Sequence, residues 1–134
     1  MKKLLFVFLA TFLTTTVLQA QEPARAIAVV NKADWCHVCQ ANGGKIMKEV
    51  IPVFENSAIA FVMNDLTNDN TTEKSKMELK EKHIYKAVKK ETATGVILIV
   101  NAGTGKLIEK ISVTEPAEKI IMALKNAVSK KEMK

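Results

Sequence analysis

The chain is poor in the residues that interrupt or staple a fold: its 134 residues include two cysteines, three prolines and five glycines. No run of glycine, proline or serine marks a linker, and no internal repeat or low-complexity stretch divides the sequence. Aromatics make up 5% of the residues and nowhere interleave with the basic ones, which excludes the usual pattern of a nucleic-acid-binding surface. No histidine follows Cys39, where Gln40 stands, so covalent haem attachment is excluded. The polar stretch Asp65–Asn70 lacks the glycine and spaced acids of a calcium loop and reads as a turn and helix cap. A closed zinc site needs four ligands, and the candidates are Cys36, Cys39, His37 and His83, the last on a different helix. Met47, Met63, Met77 and Met122 could suggest copper, but their spacing along helices and strands makes them core fillers. The expectation is no cofactor and no metal.

What the N-terminus does contain is a targeting pattern. Lys2 and Lys3 precede an apolar stretch from Leu4 to Leu13, and Val17-Leu18-Gln19-Ala20 offers a small residue for cleavage before Gln21. The apolar stretch is shorter than the roughly 20 residues of a spanning helix, and Thr14-Thr15-Thr16 interrupts it. No cysteine follows it to carry a lipid. The expectation is a signal peptide over 1–20 and a single periplasmic or secreted domain over 21–134, with no stable membrane insertion after cleavage. Removing 20 of 134 residues leaves 114, enough to bury a core without staples. The formal charge falls from +6 to +4 as Lys2 and Lys3 leave. Glutamates interleave the remaining lysines, so the basic character reads as a solvated surface with a frayed tail over 129–134.

The two cysteines stand three apart in Asp34-Trp35-Cys36-His37-Val38-Cys39. The segment directly follows Ala26-Ile27-Ala28-Val29-Val30, which reads as a buried strand, and precedes a helical stretch. A Cys-x-x-Cys at a strand-to-helix junction is the context of a redox motif. Two intervening residues place both thiols on one helix face, within reach of a disulfide. The first thiol sits at the helix N-terminus, where unpaired N–H groups and the macrodipole favour thiolate, the nucleophile of disulfide exchange. A structural disulfide is the rival reading, but so short a loop constrains the unfolded chain little. His37 is a nearby cation that could favour the Cys36 thiolate, against the plainer reading of a mobile rim side chain.

Pattern and punctuation give the remaining elements. A first strand covers 25–32, and a helix runs from about Cys36 to Ile51, with Ile46, Met47, Val50 and Ile51 inward. Gly43-Gly44 should weaken or kink this helix, and Pro52 marks its end. Ile59 to Met63 is the second strand. Asn70 caps a helix over about Thr71 to Lys89, with Glu73 completing a capping box and Met77, Ile84 and Val88 on one side. Gly95 to Val100 is a strand buried on both faces, and Asn101–Gly105 turns into a strand from Leu107 to Val113. Thr114 caps the last helix, Pro116 lies in its first turn, and Ile120, Ile121, Leu124 and Val128 face inward. The order is β-α-β-α-β-β-α. The crossover rule makes the first two strands parallel, and the hairpin makes the last two antiparallel.

Lys32-Ala33-Asp34-Trp35-Cys36-His37-Val38-Cys39 resembles the active-site segment of thioredoxin-fold proteins. It is most similar to the C-terminal thioredoxin-like domain of DsbD-type periplasmic thiol:disulfide interchange proteins. Asn64–Asn70 is similar to a polar stretch at the matching place, and the resemblance covers roughly residues 25 to 130. It implies an α/β fold with a mixed four-stranded sheet ordered 2-1-3-4 and helices on both faces. It also implies an exposed nucleophile Cys36 and a buried resolving Cys39. Trp35, Val38, Thr94 and Gly95 would form the rim that meets a substrate. Val30 stands where the family carries a buried acid, Val62 aligns with that acid's lysine partner, and Gly95 takes the place of a cis-proline. The Thr94-Gly95 bond is expected to be trans, with the loop over about Lys89 to Ala93 reshaped above the cysteines.

These features together give the expectation of an exported thiol:disulfide oxidoreductase acting as a monomer on protein thiols or disulfides, with one dedicated redox partner. Two alternatives stand beside it. One is a thioredoxin-fold binding module with weak redox turnover, and the other is a metal-binding accessory protein.

Overall fold

Strand β1 (Ala26–Lys32) has its first six residues buried, because it runs through the middle of the sheet. A computed structural model describes residues 23–129. The expected signal segment and the last five residues of the lysine-rich tail lie outside the described residues. β1 pairs in parallel with β2 (Ile59–Asp65), Ala26 opposite Ile59 and Lys32 opposite Asp65. On its other side it pairs antiparallel with β3 (Val96–Asn101), Val30 opposite Ile97. β4 (Leu107–Ser112) extends the sheet antiparallel to β3, with a bulge between Ile99 and Val100. The order β2-β1-β3-β4 is the expected one, and each strand lies within two residues of its expected bounds.

Strand alternation builds two cores. Ala28, Val30, Ile97 and Ile99 pack on one face with Ile46, Val50, Phe54, Ile120 and Leu124. Ile27, Val29, Val62, Leu98 and Val100 pack on the other with Leu79, Ile84 and Val88. The helices thus cover both faces, as expected. Among the described residues no helix is long and apolar enough to cross a membrane.

Helix α1 (His37–Lys45) does not stop at Pro52. It widens into a π-helical turn over Ile46–Val50 and tightens into a 3₁₀ turn over Ile51–Phe54. Ile51 N–H bonds the carbonyl of Ile46, five residues back. In a regular α-helix the Pro52 ring would meet the carbonyl of residue 48; widening the turn avoids this, and Pro52 falls at the start of the 3₁₀ turn, where no N–H is required. The irregularity follows the glycine pair rather than sitting on it. A Cβ at Gly43 or Gly44 would meet nothing within 4 Å.

The expected helix over 71–89 is two helices, α2 (Asp69–Glu81) and α3 (Tyr85–Val88). His83, at φ 59°, ends α2 in a left-handed turn. Ile84 N–H bonds Leu79 O at 3.0 Å and His83 N–H bonds Lys80 O at 2.9 Å, while Ile84 and Leu79 share one core. This is the Schellman closure with its apolar contact. At the other end the cap is Asn68 rather than Asn70. Its side chain accepts from Thr71 N–H at 3.1 Å and Thr71 Oγ1 accepts from Asn68 N–H, so Thr71 completes the box; Glu73 instead pairs with Lys76.

Helix α4 (Ala117–Ser129) starts after Pro116, whose carbonyl accepts from Lys119 and Ile120. Thr114 lies too early to cap it and bonds Ser112 instead. Ile120 and Leu124 are buried, with Ile121 and Val128 partly buried against the same core. The methionines correct an expectation: Met47, Met77 and Met122 are 56%, 58% and 61% exposed, and Met63 is only partly buried against the core. A flexible, unbranched thioether costs little to leave at the surface, so helical spacing alone did not place it.

Candidate dithiol site

The C-terminal end of β1 turns directly into α1, and Cys36 occupies the cap position between them. Its backbone is extended, at φ −82° and ψ 106°, and its carbonyl accepts Gln40 N–H at 3.0 Å. Cys36 and Cys39 form a disulfide with Cα atoms 5.2 Å apart. Cys39 N–H points at Cys36 Sγ across 3.2 Å. A backbone donor and a helix N-terminus therefore converge on the first sulfur, the arrangement that favours a thiolate when the pair is reduced. Burial reverses the order implied by the resemblance: Cys36 is 7% exposed, whereas Cys39 is half-buried. Of the two, Cys39 lines a mostly apolar cavity of about 250 Å³ with Val30, Ile46, Met47 and Met63.

Trp35 is 60% exposed and Val38 41%, and His37 is exposed at the first position of α1. The turn after β2 holds this loop in place. Thr67 Oγ1 accepts from Asp34 N–H at 3.0 Å, and Thr67 O accepts from the Trp35 indole N–H at 3.1 Å. Thr67 is fixed in turn by Asp65, whose Oδ1 accepts from its N–H and its hydroxyl. Lys32 Nζ lies 3.0 Å from Asp65 and 3.4 Å from Asp34. The Thr67 hydroxyl above all, and then Lys32, outweigh burial and lower the Asp65 carboxyl from 3.8 to about 2. Lys32 is raised, chiefly by its hydrogen bond to Asp65.

The loop before β3 closes the site from the other side. Among the described residues no peptide bond is cis, so Thr94-Gly95 is trans. Gly95 has φ +75°, its N–H bonds Asn31 O at 2.8 Å, and its carbonyl accepts Val113 N–H at 3.0 Å. A Cβ on Gly95 would stand 3.0 Å from Val38 Cγ1, so this glycine lies against the helix carrying the cysteines. Thr94 beside it is half-buried.

Sequence reasoning missed what anchors this loop. Asn31 is fully buried; its Nδ2 donates to Glu91 O at 2.7 Å and Ala93 O at 3.1 Å, and its Oδ1 accepts from Asn64 Nδ2 at 2.8 Å. The signal was an amide directly after the apolar run of the central strand, paired in register with another, Asn31 opposite Asn64.

One alignment also needs correction. Val30 does stand beneath Cys39, lining its cavity, but Val62 packs in the core on the opposite face. Met63, opposite Val30 in the register, is the β2 residue that shares the cavity. The four proposed zinc ligands are not brought together. The carbonyl of His83 abuts Gly105 in the β3–β4 turn, at the end of the sheet away from the cysteines.

No protein-family model matches the chain. No curated protein matches it either. Solved structures similar to it include Trxlp from Edwardsiella tarda EIB202, at 15% identity and a TM-score of 0.48 over 79% of this chain and 87% of that one. A Fasciola hepatica thioredoxin is similar at 16% identity and a TM-score of 0.49, over 78% of this chain and 83% of that one. A DsbH oxidoreductase is similar at 18% identity and a TM-score of 0.48, over 79% of this chain and 74% of that one.

Proposed function

We propose that this chain is an exported thiol:disulfide oxidoreductase whose reactive group is the Cys36–Cys39 pair, akin to the DsbD-type domain its Lys32–Cys39 segment resembles. The observation that carries the reading is the disulfide at the start of α1 with Cys39 N–H directed at Cys36 Sγ. In the reduced protein the Cys36 thiolate attacks a partner disulfide. One S–S bond forms between Cys36 and the partner as the partner's own S–S bond breaks, and a thiolate leaves. Cys39, deprotonated, then attacks Cys36 Sγ and expels the second partner thiolate. The protein ends oxidised by two electrons and the partner reduced by two, and the reverse sequence oxidises a partner. Trp35 and Val38, both exposed, and the half-buried Thr94, next to the buried Gly95 that packs against Val38, form the surface proposed to meet a partner. His37, exposed at the first position of α1 and adjacent to Cys36 in sequence, is the residue assigned to tuning the Cys36 thiolate. The basic n-region and short apolar stretch at the N-terminus support export to an oxidising compartment.

Both backbone polar groups of Gly95 are engaged inside the fold, which favours a narrow choice of partner over general capture of extended chains. A monomer with one dedicated partner is the corresponding expectation. The decisive experiment is trapping. Cys39→Ser should accumulate mixed disulfides through Cys36, and Cys36→Ser should not. Equal trapping through Cys39 would reject the assignment of the nucleophile.

A further inference from the structure

Asn31 is a buried polar residue that the exchange chemistry above leaves without a role. It is fully buried in the central strand, yet both of its ends reach the site. Its side chain grips the loop before β3 through Glu91 O and Ala93 O. Its own carbonyl accepts Gly95 N–H at 2.8 Å and lies 4.0 Å from Cys39 Sγ. Asn64, buried on β2, fixes the remaining acceptor. Each side-chain polar atom of Asn31 therefore has a partner, and the amide cannot turn without stranding one. A buried amide is costly unless it is satisfied, so a fully satisfied one is a stiff support.

We infer that Asn31 is a positioning residue for the dithiol: its side chain clamps the loop carrying Gly95, and this holds the Asn31 carbonyl where it receives the Cys39 thiol once the disulfide opens. The inference rests on the oxidoreductase reading. In the oxidised protein Cys39 Sγ has no proton to give. Reduction by two electrons and two protons breaks the S–S bond and leaves a Cys39 S–H facing that carbonyl. The contact becomes a hydrogen bond in the reduced form alone. The clamp therefore stabilises the reduced form over the oxidised one and makes the disulfide a stronger oxidant.

This differs from a merely structural role in one measurable respect. A residue that only supports the fold destabilises both redox forms equally when removed and leaves the dithiol equilibrium unchanged. The experiment equilibrates the purified native protein, Asn31→Ala and Asn64→Ala with glutathione buffers and follows the melting of oxidised and reduced forms. Loss of one neutral hydrogen bond corresponds to about a fivefold change in equilibrium constant. Asn31→Ala should shift the equilibrium with glutathione about fivefold toward the disulfide, about 20 mV more reducing at 29.6 mV per tenfold. Its reduced form should lose more thermal stability than its oxidised form. Asn64→Ala, which frees only Oδ1, should shift the same way by less, and it carries the test alone if Asn31→Ala does not fold. An unchanged equilibrium in a folded variant, or a shift toward the dithiol, would overturn the positioning role and leave the oxidoreductase reading intact. A native disulfide that glutathione cannot open and reform would overturn both.

Discussion

Gly95 tests the site most directly, because the chain carries it where the resembled family carries a cis-proline. Restoring proline should therefore improve a latent site, if family geometry is what is missing; the structure argues the reverse. Gly95 sits at φ +75°, about 140° from the value that a pyrrolidine ring fixes. Its N–H, which proline lacks, is bonded to Asn31 O at 2.8 Å. Losing that bond costs about 1–3 kcal/mol where the acceptor is buried. Relocating the backbone to a permitted φ adds a further cost, because Gly95 O also holds Val113 N–H. Together these put Gly95→Pro at about 4 kcal/mol or more, or about 15 °C of melting temperature in a domain of this size. Gly95→Ala is milder. Left-handed backbone costs about 1–2 kcal/mol for a residue with a Cβ, and the new methyl would press on Val38 Cγ1 at 3.0 Å. Val38 is 41% exposed and can move aside, so the expected loss is about 4–8 °C. Thermal unfolding of the oxidised proteins by circular dichroism measures both, and adding Val38→Ala to Gly95→Ala separates crowding from backbone strain. If Gly95→Pro melts within about 2 °C of the native protein and gains disulfide reductase activity, the hydrogen-bond and φ argument is wrong.

Two further outcomes follow from the caps and charges. Asn68→Ala should cost about 1 kcal/mol by chemical denaturation and Asn70→Ala much less, since Asn68 alone closes the reciprocal pair with Thr71; equal losses would contradict the cap assignment. The Asp65 carboxyl, lowered from 3.8 to about 2, contributes stability that is fully present above pH 3.8 and is lost as pH falls through the folded value near 2. Carbon-detected NMR should place its midpoint near 2, and Thr67→Val should move the midpoint up and shrink the loss of stability between those values. A native midpoint near 3.8 would remove Asp65 from the support of the Trp35 loop.

The parallel pairing of the first two strands, the antiparallel pairing of the last two and the dithiol position were legible because each depends on periodicity and on residues adjacent in sequence, whereas the strand order came from the resemblance alone. The apolar run at β1, the Cys-x-x-Cys beside it and the Asn101–Gly105 turn are such signals. Helix ends were less legible, because several residues compete for each. In Asn68-Asp69-Asn70-Thr71 all four residues can cap, and the choice depends on where β2 delivers the chain. The break between α2 and α3 carries no glycine or proline. His83 takes the left-handed position because Ile84 and Leu79 gain a shared core by it, and that core exists only once the sheet has formed. The Asn31–Asn64 pair needed the β1–β2 register, which no local pattern supplies. Thr67 was within a noticed patch, but its hold on Trp35 spans 32 residues of sequence.

Strand alternation then explains how one site can lack a buried acid and still contain a buried polar group. Side chains on β1 alternate between faces, so Val30 points to the side of α1 and Cys39, and Asn31 to the side of α2 and the loop before β3. A polar residue at Val30 would sit beneath Cys39. One position later, the same polarity lies beneath the loop instead and touches Cys39 only through its backbone carbonyl. The wall of the Cys39 cavity on that face is then hydrocarbon from Val30, Ile46 and Met63. Hydrocarbon disfavours the charged form of a thiol beside it, whereas the helix terminus and the Cys39 N–H favour charge on Cys36. The two sulfurs thus meet different surroundings three residues apart, and the proposed division of labour, with Cys36 attacking and Cys39 resolving, rests on the backbone donor and helix start at Cys36 and on the register of β1 beneath Cys39, against the greater burial of Cys36.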